Sequence, residues 1–341
     1  MLKYIAIWVL AAASDNILVT PHLEVAVTVD RNIVYCSTFQ IAWDDMKSNI
    51  IGEDIRLEKP LELVRRLNEG TRFRTALTAG LPEAKYLAVA GANANETVRE
   101  INRELEIKFG TRMPAIEERY GECVIAYACL VQTLEFERPF EEYTNQNVID
   151  TGGERAGVEA FGIYDYAAGR HAGMAGQAEI LRYQEPRDFI VRLKCADPED
   201  EIIIAKMAPG GSLADMVAAV RSRVEDADPL AWGRGDVLVI PKLRAAISHS
   251  FEEVDHLYLR NEGWEEFYVH AMKQDVRFLL DESGVLVESS MELAFKQKGP
   301  PAAARRMVCH APFLFCLQRK SGEHPYFVMW VADEELMVPS G

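Results

Sequence analysis

Catalysis needs titratable or nucleophilic side chains at a few characteristic spacings, and this chain lacks those spacings. His22, His171, His249, His256, His270, His310 and His324 are scattered, none at ligand distance from another, so an ordinary core or surface role is the plainer reading of each. No HExxH, P-loop or GxGxxG opening a helix occurs, nor a GxSxG nucleophile elbow. Glu252-Glu253-Val254-Asp255 reads as a solvated face rather than an acid/base pair. Arg234-Gly235-Asp236 resembles an adhesion tripeptide but falls where a turn enters a strand. Cys36, Cys123, Cys129, Cys195, Cys309 and Cys316 form no CxxC pair and mostly lie in apolar runs. Buried free thiols are therefore favoured over zinc ligands or disulfides. The chemistry expected is not that of an enzyme, and no metal or cofactor is implied.

The most informative segment is the last fifth of the chain. Val276–Leu280 is an apolar strand leading to an Asp281-Glu282-Ser283-Gly284 corner, then about twenty residues of low complexity without helix caps. Two further apolar runs, Pro312–Phe315 and Tyr326–Trp330, flank a polar Lys320-Ser321-Gly322-Glu323 turn, which predicts a β-hairpin. A long segment tethered between strands invites a functional reading.

The N-terminal third reads as mostly helical. Ser37 opens a helix towards Ser48, and Pro60–Asn68 carries Leu63, Val64 and Leu67 at helical spacing with Gly70 as its stop. Asn95 caps a helix to about Lys108, with Val98, Ile101 and Leu105 on one face; capping is also the preferred reading of the Asn95-Glu96-Thr97 sequon. From Cys123 the pattern changes to strands. Cys123–Leu134 is almost wholly apolar, as a strand buried on both faces requires. Val158–Tyr166, Ala178–Tyr183, Phe189–Cys195, Glu201–Met207, Asp236–Ile240 and Leu243–Ser250 follow, with Ser212 capping a helix to Val224. Helices first and strands after, without regular βαβ alternation, predict an α+β fold. No repeat or Gly/Ser/Pro-rich linker divides residues 1–341, so a single domain is expected.

Of the 341 residues, 49% are hydrophobic and 26% charged, with a net charge of −16. This excludes a disordered chain and argues against nucleic-acid or anionic-membrane partners. A basic protein partner would be steered in by such a field. No run reaches the length of a membrane span. Met1–Ala13 has the outline of a short export signal, but a buried first strand explains it equally well; the compartment stays open, with the cytoplasm favoured.

The order of motifs resembles the serpin superfamily over most of the chain. Met307–Leu317, with Pro312-Phe313 at its centre, is similar to the family signature, although His310 and Ala311 depart from it. Asp281–Gly284 resembles the corner before a reactive-centre loop. Glu137-Arg138-Pro139-Phe140 resembles the W-E-[KR]-P-F element, with Phe136 in place of Trp. Asp236–Lys242 with Ile247–Phe251 resembles the L-P-K-F-x-[IL] strands and their following helix. Asn32–Trp43 resembles the N-[IV]-x-x-S-P-x-S-I approach to the second helix. The stretch from Ser37 to Ile101 is several tens of residues shorter than its counterpart. The resemblance implies a large central mixed sheet, N-terminal helices, a C-terminal β-hairpin and a long exposed loop, in a protein that acts as a monomer. It also implies a polar cluster governing sheet opening. Its positions here hold Ser37, Gln40, Ala128 and Gln274, which predicts a rebuilt cluster with a Gln40–Gln274 pair.

The resemblance implies, further, that a serine protease attacks the loop and is trapped when the cleaved loop enters the sheet as a strand. Counted from Gly284, Val285, Val287, Ser289, Met291, Leu293 and Phe295 fall on one face. Leu286, Glu288, Ser290, Glu292, Ala294 and Lys296 fall on the other, which carries every charge. That alternation suits an inserting strand, and equally a permanently paired one. The hinge residues, Glu282, Gly284, Val285, Val287 and Ser289, include bulkier side chains than the alanine-rich hinge of inhibitors. Carrying the family's hinge-to-cleavage distance from Glu282 places the reactive bond at Lys298–Gly299, with Lys296 as a second candidate. Either lysine would suit a trypsin-like protease. The alternative is a non-inhibitory binding protein whose loop is a fixed strand or a partner site.

Overall fold

The computed structural model describes all residues except 1–10, 13–15, 71–82, 93, 111–112, 114, 117–123, 144–148, 152–153, 226, 284–303, 321, 323 and 341. Strands are numbered β1–β18 and helices α1–α5 along the chain. A five-stranded sheet runs in the order β1 (Ala11–Ala12), β14 (Leu243–Ser250), β15 (Val269–Leu280), β5 (Val124–Thr133) and β4 (Tyr86–Gly91). It is mixed: β15 is antiparallel to β14 but parallel to β5, while β5 and β4 are antiparallel. A seven-stranded sheet orders β10 (Ala178–Glu185), β11 (Asp188–Lys194), β12 (Asp200–Lys206), β17 (Phe313–Arg319), β18 (Phe327–Val331), β3 (Asn32–Cys36) and β2 (Ile17–Thr20). A four-stranded sheet joins β16 (Arg306–Val308), β13 (Val237–Pro241), β9 (Ala160–Ile163) and β6 (Glu141–Tyr143), and β7 (Ile149–Thr151) pairs with β8 (Glu154–Ala156).

The largest core fills the space between the two big sheets. Phe278 of β15 stacks on Phe327 at 5.0 Å and meets Phe315 at 5.1 Å. All three are buried, and each contributes about 1.5–3 kcal/mol by leaving water. The alternation of the predicted C-terminal hairpin decides this. Phe313, Phe315 and Leu317 face the five-stranded sheet, while Leu314 and Cys316 face the opposite way. The hairpin is present as expected, with Phe313 opposite Val331. Behind it, α5 (Leu213–Val224) packs Leu213, Met216 and Val220 against the far face. Its start is the predicted Ser212, which forms a capping box with Asp215.

On the five-stranded sheet, successive β5 residues serve different cores, which is why its sequence is apolar without alternation. Val124, Ala126 and Ala128 meet α1 (Thr38–Asp45) and α2 (Glu62–Gly70) on the inner side. Ile125, Tyr127, Cys129 and Val131 meet Val98, Ile101, Leu105 and Phe109 of α3 (Ala94–Phe109) on the outer side.

Several sequence expectations need correction. The N-terminal third contains β2, β3 and β4 besides its helices, because Asn32–Cys36 is buried throughout as an interior strand. The Ser37 helix converts at Met46 to a π-helical stretch ending at Gly52, in a left-handed conformation, and Ser37 makes no side-chain capping bond. Asn95 lies inside the first turn of α3 rather than capping it. After β14 the expected helix is one 3₁₀ turn, Glu252–Val254. Helix α4 (Ala168–Gln177) was not foreseen; three glycines in ten residues hide its pattern. The five described cysteines are buried and free, as expected.

Candidate functional site: the loop corner and the strand seam

The strand β15 ends at Leu280, and the next three residues are held firmly. Asp281 Oδ1 accepts from the Ser283 amide at 2.9 Å. The carbonyls of Glu282 and Ser283 accept from the amides of Phe140 at 2.8 Å and Phe136 at 3.2 Å. Phe136, Phe140 and Phe161 pack their rings at 5.0–6.1 Å beneath this point, so the expected Glu137–Phe140 element serves as the platform for the corner.

The Glu282 carboxylate sits 2.8 Å from Lys242 Nζ, which also meets Glu142 at 2.6 Å and Glu159 at 3.1 Å. Burial works against the ammonium, but hydrogen bonds to Glu142 and Glu282 outweigh it and raise its pKa. Burial raises the Glu282 pKa, with Lys242 opposing. Lys242 is fixed through its backbone as well. Lys242 N donates to Glu159 O, Glu159 N to Val338 O, and Val338 N to Lys242 O, each at 2.8–2.9 Å.

The far end of the segment is anchored too. Arg305 grips the buried Asp236 carboxylate through Nε at 3.0 Å and Nη2 at 2.6 Å, and donates its amide to the same group at 2.8 Å. This removes the adhesive reading of Arg234-Gly235-Asp236, since the carboxylate is 2% exposed and engaged. Arg306 opens β16. Residues 284–303 between the two anchors lie outside the described residues, and with them Gly284, Val285, Val287, Ser289, Lys298 and Gly299.

The predicted polar cluster is buried beneath the sheet but differently wired. Gln274 lies opposite Ala128 in the β15–β5 register. Its Nε2 donates to Cys36 O at 3.1 Å and Thr38 Oγ1 at 3.3 Å. Gln40 turns the other way, its Nε2 donating to Asp44 Oδ1 and Leu67 O, both at 2.8 Å. The expected Gln40–Gln274 pair is therefore absent: Gln274 is taken up by the end of β3 and the start of α1, and Gln40 by Asp44 and α2. Ser37 is fully buried beside them. Sequence reasoning missed Asp44, and also Thr38, Lys242 and Asp236, which meet Gln274, three glutamates and Arg305 far away in the chain.

The outer face of β15 carries Lys273, Asp275 and Arg277 in alternate positions. Asp275 is 1% and Arg277 7% exposed. Asp275 Oδ2 accepts from Tyr127 Oη of β5 at 3.1 Å, and its Oδ1 lies 3.3 Å from Lys273 Nζ. Burial lifts the Tyr127 pKa well above the usual phenol range, so it stays a donor, and pushes the neighbouring Cys129 thiol up to about 12.

No protein-family model matches the sequence, and no curated protein matches it. Solved structures do. The chain is similar to thyroxine-binding globulin in complex with thyroxine at 11% identity, with 89% of this chain and 92% of that one covered and a TM-score of 0.57. Tengpin, a thermophilic serpin in its native state, gives 13% identity, 90% of each chain and a TM-score of 0.54. A serpin from the trematode Schistosoma haematobium gives 10% identity, 89% and 94% coverage and a TM-score of 0.54. This chain has the serpin fold, in a strongly diverged sequence.

Proposed function

We propose that the protein is a serpin-like inhibitor of trypsin-like serine proteases, cleaved in its loop at Lys298–Gly299 and trapping the acyl-enzyme by inserting the cleaved loop into the five-stranded sheet. The observation that supports it best is the parallel β5–β15 pair. A strand that follows β15 through the 281–284 corner runs antiparallel to β15, hence antiparallel to β5 as well, and can pair with both once they part.

The residues favour one register. If Val285 pairs with Leu280, then Val287, Ser289 and Met291 fall opposite Phe278, Val276 and Gln274 on the core side. On the outer side Glu288 falls opposite Arg277, Ser290 opposite Asp275 and Glu292 opposite Lys273. Moving the strand by two residues either way puts a glutamate against Asp275. Cross-strand opposite charges help pairing and like charges oppose it. Lys298 would enter the acidic primary pocket of the protease, and no catalytic or cofactor chemistry is asked of the chain itself.

The second reading, a non-inhibitory binding protein, is favoured by the bulky Val285-Leu286-Val287-Glu288 hinge and by the likeness to a thyroxine-binding globulin. Incubation with trypsin at equal concentrations separates the two. Inhibition predicts a band at the summed mass on a denaturing gel, lost in Lys298→Ala. Clean cutting with release of active trypsin would reject inhibition of that protease.

A further inference from the structure

We infer that the β5–β15 seam is latched from its outer face by the buried Tyr127–Asp275 hydrogen bond, a control on the strand insertion proposed above and resting on that reading for its biological meaning. On the inner face, Gln274 and Ala128 are register partners, but alanine has no polar atom and Gln274 binds β3 and α1 instead. That arrangement ties β15 to the body of the protein without tying it to β5. Across the outer face, Tyr127 Oη reaches Asp275 Oδ2 at 3.1 Å, from one strand of the seam to the other.

The position gives this contact its weight. Tyr127 is 2% and Asp275 1% exposed, and the ring belongs to the core under α3. A hydrogen bond to an ionised carboxylate is stronger than a neutral one, and its loss leaves the acceptor buried with one donor fewer. Lys273 is on the same strand as Asp275 and stays near it when the strands separate, so that ion pair does not resist parting. The phenol does, because it rides on β5. Separation by one strand spacing, about 4.8 Å, breaks the contact outright.

Hydrogen exchange of the intact, uncleaved protein tests the latch. Tyr127→Phe keeps the ring and removes only the hydroxyl. It is expected to speed exchange of β5 and β15 amides roughly tenfold or more, while amides of β11 and β12 in the other sheet keep their rates. Asp275→Asn, which keeps an acceptor oxygen but loses the charge, is expected to give a smaller change at the same amides. Unchanged exchange at the seam in Tyr127→Phe, or equal acceleration in both sheets, would overturn the latch. Because the loop is uncut in this measurement, failure of the insertion mechanism reads out separately: the seam effect would persist while cleavage brought no gain in heat stability.

Discussion

At the residue scale, two lysines carry the most testable energetics. Lys242 answers three carboxylates from three parts of the chain while only 12% exposed. Lys242→Met is expected to lower the unfolding free energy by about 2–3 kcal/mol in urea titrations. That is below the ~3–5 kcal/mol of a fully buried broken pair, because Glu142 and Glu159 keep contact with water. Lys206 is 5% exposed and donates to the carbonyls of His310 and Pro312. Burial lowers its pKa to about 8. A depressed lysine means the unfolded chain holds the proton where the folded one has released it, so stability from this group rises with pH. Wild type is expected to gain on Lys206→Met between pH 8 and 10.5 and to run parallel to it below pH 7.

At the scale of elements, turns and caps decide what the apolar pattern leaves open. Gly162 in β9 has φ +153°, and a Cβ there would lie 2.0 Å from Leu238 O of the paired strand. Gly162→Ala is expected to cost more than about 2 kcal/mol and to loosen β9–β13 pairing, visible as faster amide exchange in those strands. Ser212→Ala removes the capping box of α5, with an expected loss of about 1 kcal/mol in thermal or urea unfolding. Elements with strong local signals, such as α5 and β14, are legible nearly to their ends, and the β17–β18 hairpin is legible except that β17 runs four residues further, to Arg319. The helix α4 and the strands β2 and β3 are not, because glycine content and short, mostly buried runs carry no periodicity to read.

At the scale of the whole molecule, the parallel pairing of β5 and β15 is the feature with consequences. If the intact sheet is strained towards accepting another strand, cutting the loop is expected to raise the melting temperature by at least roughly 10 °C. A calorimetric scan of cut and uncut protein checks this. An unchanged melting temperature would favour a fixed scaffold and the binding-protein reading. The net charge of −16 adds a kinetic expectation. Capture of a basic protease should slow as salt rises, since surface fields are screened within about 10 Å at 0.1 M.

The sequence by itself determined the fold class, through the apolar run of β5, the C-terminal hairpin and the ordered family motifs, because burial pattern and turn chemistry are local. It also marked the corner where the loop begins, at Asp281–Gly284. It did not decide what holds either end. The pairing of Arg305 with Asp236, of Lys242 with Glu282, and of Tyr127 with Asp275 joins residues up to 148 positions apart. Gln274 likewise finds its partners at Cys36 and Thr38, far away in the chain, rather than in the Gln40 it was expected to meet. Such contacts depend on which strands lie side by side and which face each residue takes, and only the folded chain settles both.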